Sequence, residues 1–268
     1  MSGAAIVCSP CATFARGLTT GRRGPPDLER ARSQHRAYVA ALERCGMRVI
    51  ELPPNDAHPD STFVEDTAVL APGMAVVTRP GASSRRGEVV AARRALEGLV
   101  PEVRVIEPPG TLDGGDVCRI GAHVLIGIST RTNEEGARQL VKHLSEAGCT
   151  SALVQLPNAR GLLHLKSGLA WLGERRVAVV DALVDHPALG AFERIRVDAE
   201  ETEGANCVRV GDRLLIPAGC PRWAERLGSL GDELVVLDVS EFQKMDGGLS
   251  CLSLRLEDRA GRRAATCG

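Results

Sequence analysis

The sequence predicts an α/β fold arranged as a five-bladed α/β propeller, with pseudo-five-fold repeats around a central site. Three observations carry that expectation: a hairpin plan that recurs at intervals of roughly 40 to 50 residues, a further β-rich segment beside each hairpin, and helical patterns between units. Residues 66–78 (DTAVLAPGMAVVT) read as a polar lead, an apolar strand, a Pro-Gly turn and a second apolar strand. Residues 116–127 (DVCRIGAHVLIG) and 206–217 (NCVRVGDRLLIP) repeat the plan, and residues 170–180 (AWLGERRVAVV) place Gly-Glu-Arg at the turn. The last unit, residues 245–256 (MDGGLSCLSLRL), supplies one strand.

A β-rich segment precedes each hairpin, at 48–54, 103–109, 151–157, 194–198 and 233–240, and is grouped with the hairpin that follows it. Four helices are expected. Asp27 to Gly46 carries Leu28, Ala31, His35, Tyr38 and Leu42 at helical spacing, with Gly46 as the stop. The others run from Arg85 to Leu99, from Thr132 to Gly148 and from Pro221 to Gly231. Five such units satisfy their strand edges by closing radially. Closure turns the polar residue that leads each hairpin toward the axis: Glu65/Asp66, Asp113/Asp116, His164, Asn206 and Cys251. An ordinary α/β sandwich, in which these residues merely end strands, is the alternative that composition leaves open.

The chain of 268 residues is read as a single propeller domain over residues 1–256, followed by a disordered tail over 257–268. Its net charge of −1 lacks the basic excess of a nucleic-acid binder. Apolar residues make up 44%, but Phe, Tyr and Trp only 3%, so the core must be aliphatic. No apolar stretch reaches membrane-spanning length, and Met1 to Pro10 shows no secretory pattern. The nine cysteines are therefore expected as reduced thiols in the cytoplasm, with no metal or cofactor, and Cys8-x-x-Cys11 lacks the second pair of a metal knuckle.

Cys251 follows Gly247 and Gly248 at the start of an apolar strand, where it reads equally as a held nucleophile or a packed thiol. His164 lies between leucines, in a setting that fits a satisfied core histidine or a catalyst. Asp60, Glu65 and Asp66 fall within seven residues, and the strand after them carries the last two toward a buried edge. Buried carboxylates need cationic partners, and a guanidinium offers a bidentate match. Asp113-Gly-Gly-Asp116 repeats that offer. Arg85 and Arg131 stand near helix starts, where surface pairing is the default.

The motifs FVED (63–66), RPGASSRRGE (79–88), TLDGGD (111–116), SxRTNxEG (129–136), LHLKSG (163–168), GANC (204–207) and DGGLSCLS (246–253) resemble the dimethylarginine dimethylaminohydrolases of the pentein superfamily. The likeness runs from about residue 5 to 256. It implies a five-bladed α/β propeller with a central site, Cys251 as nucleophile, His164 as general acid/base and Asp113 orienting the histidine. Some members have Glu at that position, so the Asp arm is shorter. The resemblance further implies Glu65 and Asp66 on the guanidinium side and Arg85 and Arg131 on the substrate α-carboxylate. Leu18, Asp60 and the backbone of Met245 would close over the amino-acid end, and residues 17–26 would form a mobile lid.

The implied reaction converts methylated arginines to citrulline, with no metal or cofactor, in a monomer or homodimer. Such chemistry needs a strong nucleophile and a proton for the departing amine, and attack on a cation calls for carboxylates rather than an oxyanion hole. An arginine deiminase-like enzyme, and a guanidino-ligand binder without turnover, are the alternatives. Deiminases generally carry a helical insertion for which this chain has no room.

Overall fold

The computed structural model describes residues 3–20, 23–156 and 162–256, so Gly21 of the expected lid and the tail from residue 257 lie outside the described residues. Strand β1 (Ala4–Cys8) leads through helix α1 (Leu28–Arg44) to β2 (Arg48–Leu52), which pairs parallel to β1. The Asp27 side chain caps α1 by accepting from Arg30 N, and Gly46 (φ 83°) turns the chain out of the helix. Strands β3 (Ala68–Ala71) and β4 (Met74–Val77) form a hairpin, and helix α2 (Val89–Glu97) brings β5 (Glu102–Val105) parallel to β4. The hairpin β6 (Val117–Ile120) and β7 (His123–Ile128), helix α3 (Glu134–Glu146) and β8 (Thr150–Gln155) repeat that plan.

In the fourth unit β9 (Leu169–Gly173) and β10 (Arg176–Val179) are followed by β11 (Glu193–Arg196), with a single 3₁₀ turn at Pro187–Leu189 in place of a helix. The fifth joins β12 (Val208–Val210), β13 (Arg213–Pro217), helix α4 (Pro221–Ser229) and β14 (Glu233–Leu237). A short α5 (Ser240–Gln243) then leads to β15 (Leu254–Leu256), which pairs antiparallel to β1 and closes the first blade with the end of the fold.

Five three-stranded sheets result, as expected, but the grouping within them differs from the sequence reading. Four of the β-rich segments join the hairpin before them, not the one after, and the first, β2, joins β1 in the blade that β15 completes. The reason is geometric: a parallel partner needs a crossover, which the segment after each hairpin supplies, as a helix in three blades and as the loop with the Pro187–Leu189 turn in the fourth. The middle strands β1, β4, β7, β10 and β13 are buried along most of their length by Ala, Val, Leu and Ile, the aliphatic core that composition required. The inner strands pack on one another around the axis, in the pairs β15–β3, β6–β9 and β9–β12. Among the described residues, no helix is long and apolar enough to cross a membrane, and the eight described cysteines are free thiols.

Candidate active site

Each inner strand is preceded by a 3₁₀ turn at the same end of its blade. The turns Val64–Thr67, Gly114–Asp116, Leu165–Ser167, Ala199–Ala205 and Ser250–Leu252 carry or adjoin Glu65/Asp66, Asp113/Asp116, His164, Asn206 and Cys251. Successive turns pack together: the Val64 turn on those of Ser250 and Gly114, and the Leu165 turn on those of Gly114 and Ala199. The radial reading of the polar leads is therefore the observed one.

His164 is buried, with Nε2 2.9 Å from Asp113 Oδ2 and 4.0 Å from Asp66 Oδ1. The Asp arm reaches the imidazole without a longer side chain. Asp113 Oδ1 accepts from Gly81 N at 2.9 Å, which fixes the carboxylate plane. Behind the ring, Asp116 accepts from Ser129 Oγ and Thr132 Oγ1, both at 2.6 Å, and from Leu165 N at 2.9 Å. Burial opposes charge on the imidazole, but the Asp66 charge, the Asp113 hydrogen bond and Asp116 outweigh it and raise His164 from 6.5 to about 9. Burial likewise opposes the Asp66 carboxylate, yet His164, Arg85 and the Gly115 N–H hold it at about 2. Gly115 permits this close approach: a Cβ there would lie 2.8 Å from both His164 Nδ1 and Asp66 Oδ1.

Cys251 is half-buried on its turn, beside Ser250, whose Oγ donates to Glu65 Oε2 at 2.8 Å. Asn206 braces the turn, accepting from Ser250 N at 2.8 Å and donating to the Lys166 carbonyl at 3.0 Å. Glu65 Oε1 is held by Lys166 Nζ at 2.6 Å, with Arg255 Nη2 at 3.7 Å. Burial, with the Glu65 and Asp66 charges added, pushes the Cys251 thiol up to about 12. Gly248 is needed beside it, because a Cβ there would sit 2.6 Å from Asn206 Cγ.

Arg85 is buried and fully engaged with the protein. Its Nη1 donates to Asp66 Oδ2 at 2.6 Å, and its Nε and Nη2 meet the Glu88 carboxylate. Arg131 is half-buried, and among the described residues its guanidinium has no hydrogen-bonded or ion-paired partner. The two arginines that the sequence treated alike are thus in different states. Both lie near Asp60, whose carboxyl is raised by burial and drawn down by Arg85, the Leu18 N–H and Arg131.

Leu18, 41% exposed, lies over Asp60 and donates its N–H to both carboxylate oxygens at 3.0 and 3.1 Å. Met245 is buried, and a Cβ at Gly17 would lie 3.1 Å from its Cε. The strap continues through Thr20, which bonds the Asp246 carboxylate through N (2.6 Å) and Oγ1 (2.8 Å), and through Arg23, which pairs with Glu203. Asp66, Asp113 and His164 offer donor atoms within 4.8 Å of one another, a spacing that a cation could use. Arg85 already supplies the cation at Asp66, and Asp113 is committed to His164 and Gly81 N.

All ten sequence-predicted site residues belong to this one region. Glu88, Lys166, Ser250 and the bracing role of Asn206 were not foreseen. The available signal was a charged or hydroxyl residue inside the short motifs RRGE, LHLKSG and LSCLS, where apolar neighbours imply burial.

Residues 102–211 match the arginine deiminase family. The N(G),N(G)-dimethylarginine dimethylaminohydrolase of Pseudomonas aeruginosa is 41% identical over 251 residues, covering 93% of this chain and 98% of that protein. Its namesake from Streptomyces coelicolor is 40% identical over 256 residues, covering 95% and 97%. The solved Pseudomonas aeruginosa structure, a cysteine-to-serine mutant complexed with citrulline, has a TM-score of 0.92 at 40% identity and covers 96% of this chain and 100% of that one. The N-terminal domain of a cyanobacterial arginine dihydrolase shares the fold alone, with a TM-score of 0.86 at 19% identity. With such identity over nearly its whole length, the chain belongs to the dimethylarginine dimethylaminohydrolase family of the pentein superfamily.

Proposed function

We propose that this protein hydrolyses Nω-methylated arginines, asymmetric dimethylarginine and monomethylarginine, to L-citrulline with release of dimethylamine or methylamine. The observation that carries this reading is the relative solved with citrulline, matched across 96% of the chain, together with the charged His164–Asp113 pair and the Cys251 thiol, both of which feel the Asp66 charge.

Cys251 acts as nucleophile. In the free protein its thiol sits at about 12 and is protonated at neutral pH. A guanidinium entering beside it acts in the opposite sense: a unit charge ~4 Å away is worth about 4 kcal/mol at an effective dielectric of ~20, or about 3 pH units, which brings the thiol down toward ~9, raises the thiolate fraction about a thousandfold and sends the proton to solvent. Sulfur attacks the guanidinium carbon to give a tetrahedral adduct. His164, an imidazolium at neutral pH, gives its proton to the departing amine, leaving a covalent thiouronium. Neutral His164 then takes a proton from water, whose oxygen attacks the same carbon, and collapse expels the sulfur and citrulline. Asp113 orients the imidazole, Asp66 and Glu65 face the positive charge, and Arg131 receives the α-carboxylate, while Arg85, expected there from the sequence, is already taken by Asp66, Glu88 and the Phe63 carbonyl and holds Asp66 in place. Asp60, Leu18 and the Met245 backbone close on the amino end.

Incubation with asymmetric dimethylarginine tests the reading, with citrulline and dimethylamine measured in equal amounts and Cys251→Ser as control. A second reading, deimination of unmethylated arginine, is favoured by the arginine deiminase match over residues 102–211. Ammonia from arginine, with no dimethylamine from the methylated substrate, would establish it instead.

A further inference from the structure

Glu88 stands at the start of α2, on the far side of Arg85 from Asp66, with a side chain only 2% exposed. Its carboxylate takes the Nε edge of Arg85 as a fork, at 3.2 and 3.1 Å from Nε and 2.9 Å from Nη2. Nη2 also donates to the Phe63 carbonyl at 3.2 Å, and Nη1 donates to Asp66 Oδ2 at 2.6 Å. One buried guanidinium is therefore shared between two buried carboxylates. Arg85 and Asp66 alone would be a neutral pair; with Glu88 the cluster carries one surplus negative charge. A buried surplus charge must be balanced by a cation, and the side of Asp66 away from Arg85 faces His164, 4.0 Å off.

We propose that Glu88 is a positioning residue that acts through Arg85: it turns Nη1 toward Asp66 and leaves Asp66 with the negative charge that retains the His164 imidazolium and the incoming guanidinium. This rests on the hydrolase reading above. The fork geometry suits the role, because a bidentate carboxylate fixes the guanidinium plane where a single contact would let it rotate. Glu88 is itself poised to titrate. Burial, with Asp60 and Asp66 adding to it, raises its carboxyl to about 7 against the pull of Arg85. The other groups facing it are the Cys8 thiol, whose own ionisation the Glu88 charge opposes, and the His58 ring packed on Gly87. The surplus charge is thus present above about pH 7 and fades below it, where neither the guanidinium nor the α-carboxylate of a methylarginine titrates.

The test uses the full chain and three readouts. In the wild type, KM for asymmetric dimethylarginine should rise about tenfold as pH falls through about 7. In Glu88→Gln, KM should be high and flat from pH 6 to 8, and the His164 imidazole, followed by NMR, should titrate several tenths to about one pH unit lower. Glu88→Asp, which keeps the charge, should restore most of both effects. A flat wild-type KM, or a Glu88→Gln protein that only melts earlier while KM and the His164 titration stay in place, would overturn the proposal, as would Glu88→Asp behaving like Glu88→Gln. The NMR titration needs no turnover. If the wild type makes no citrulline, the hydrolase reading fails on that result while the imidazole still decides the role of Glu88.

Discussion

Asp113→Asn keeps an acceptor beside His164 Nε2, 2.9 Å away in the wild type, and removes only its charge. Two unit charges ~4 Å apart at an effective dielectric of ~20 interact by about 4 kcal/mol, an upper bound here because the amide oxygen still accepts and Asp66 and Asp116 remain. The imidazole should therefore titrate about 1 to 3 pH units below its wild-type value of about 9. The stability consequence has a definite sign. A histidine raised in the folded state stabilises fully below its unfolded value near 6.5 and loses that contribution as pH climbs through about 9. The rise is worth about 3 kcal/mol, and the depression of Asp66 to about 2 reads part of the same pairing from the other partner. Urea unfolding should show the variant destabilised at pH 6 and close to wild type at pH 10. The alkaline limb of kcat/KM should move down with the imidazole, and kcat at pH 8 should fall about 10²-fold or more. An alkaline limb that stays in place, with equal destabilisation at both pH values, would refute the argument that Asp113 works through charge on His164.

The two arginines should separate cleanly. Arg131→Met should raise KM about 10- to 100-fold with little change in stability, since its guanidinium has no ion-paired partner among the described residues, whereas Arg85→Met should cost about 3–5 kcal/mol by stranding Asp66 and Glu88; chemical denaturation beside initial rates reads both. Gly115→Ala drives a methyl to 2.8 Å from His164 Nδ1 and Asp66 Oδ1, so citrulline formation should drop at least 10²-fold in a protein whose circular dichroism is unchanged. Iodoacetamide should alkylate Cys251 of the free protein about tenfold faster per pH unit from 7 to 10, and a plateau below pH 8 would show a thiol far more acidic than its surroundings allow.

Hairpins and helices were legible because their signals are local. Gly73, Gly121 and Gly211 hold positive φ at three hairpin tips, and Asp27 and Asn133 cap helices through the side-chain contacts that their positions imply. The pairing of the third strand in each blade was not legible, because an apolar strand with alternating exposure carries no mark of which hairpin it will join. The closure of β15 on β1 was hidden for a related reason: the partner of the final strand lies some 250 residues earlier, and its β-rich character is no stronger than that of the other strands. At the site, carboxylates, imidazole and thiol were readable as types. Their charge states were not, since those follow from burial and from cations such as Lys166, which arrives on another blade, and Arg85, which the hairpin of the same blade brings back to Asp66.

The distribution of charge also bears on how a cycle would end. Glu65 is matched by Lys166, and Asp66 shares Arg85 with Glu88, before any ligand binds, and the thiol remains protonated among them. Ionising Cys251 and binding a guanidinium are then coupled, because the ligand's charge adds to that of Lys166 in offsetting the field of Glu65 and Asp66 at the sulfur. Citrulline is neutral at the same carbon. Its formation withdraws the cation that held the thiolate, so the sulfur takes up a proton and the carboxylates return to their resident partners. Product and resting enzyme are favoured by the same loss of charge. Differential binding of this kind discriminates by a full unit of charge rather than by the shape of one methyl group, so a neutral isostere of the substrate should bind without raising the reactivity of Cys251.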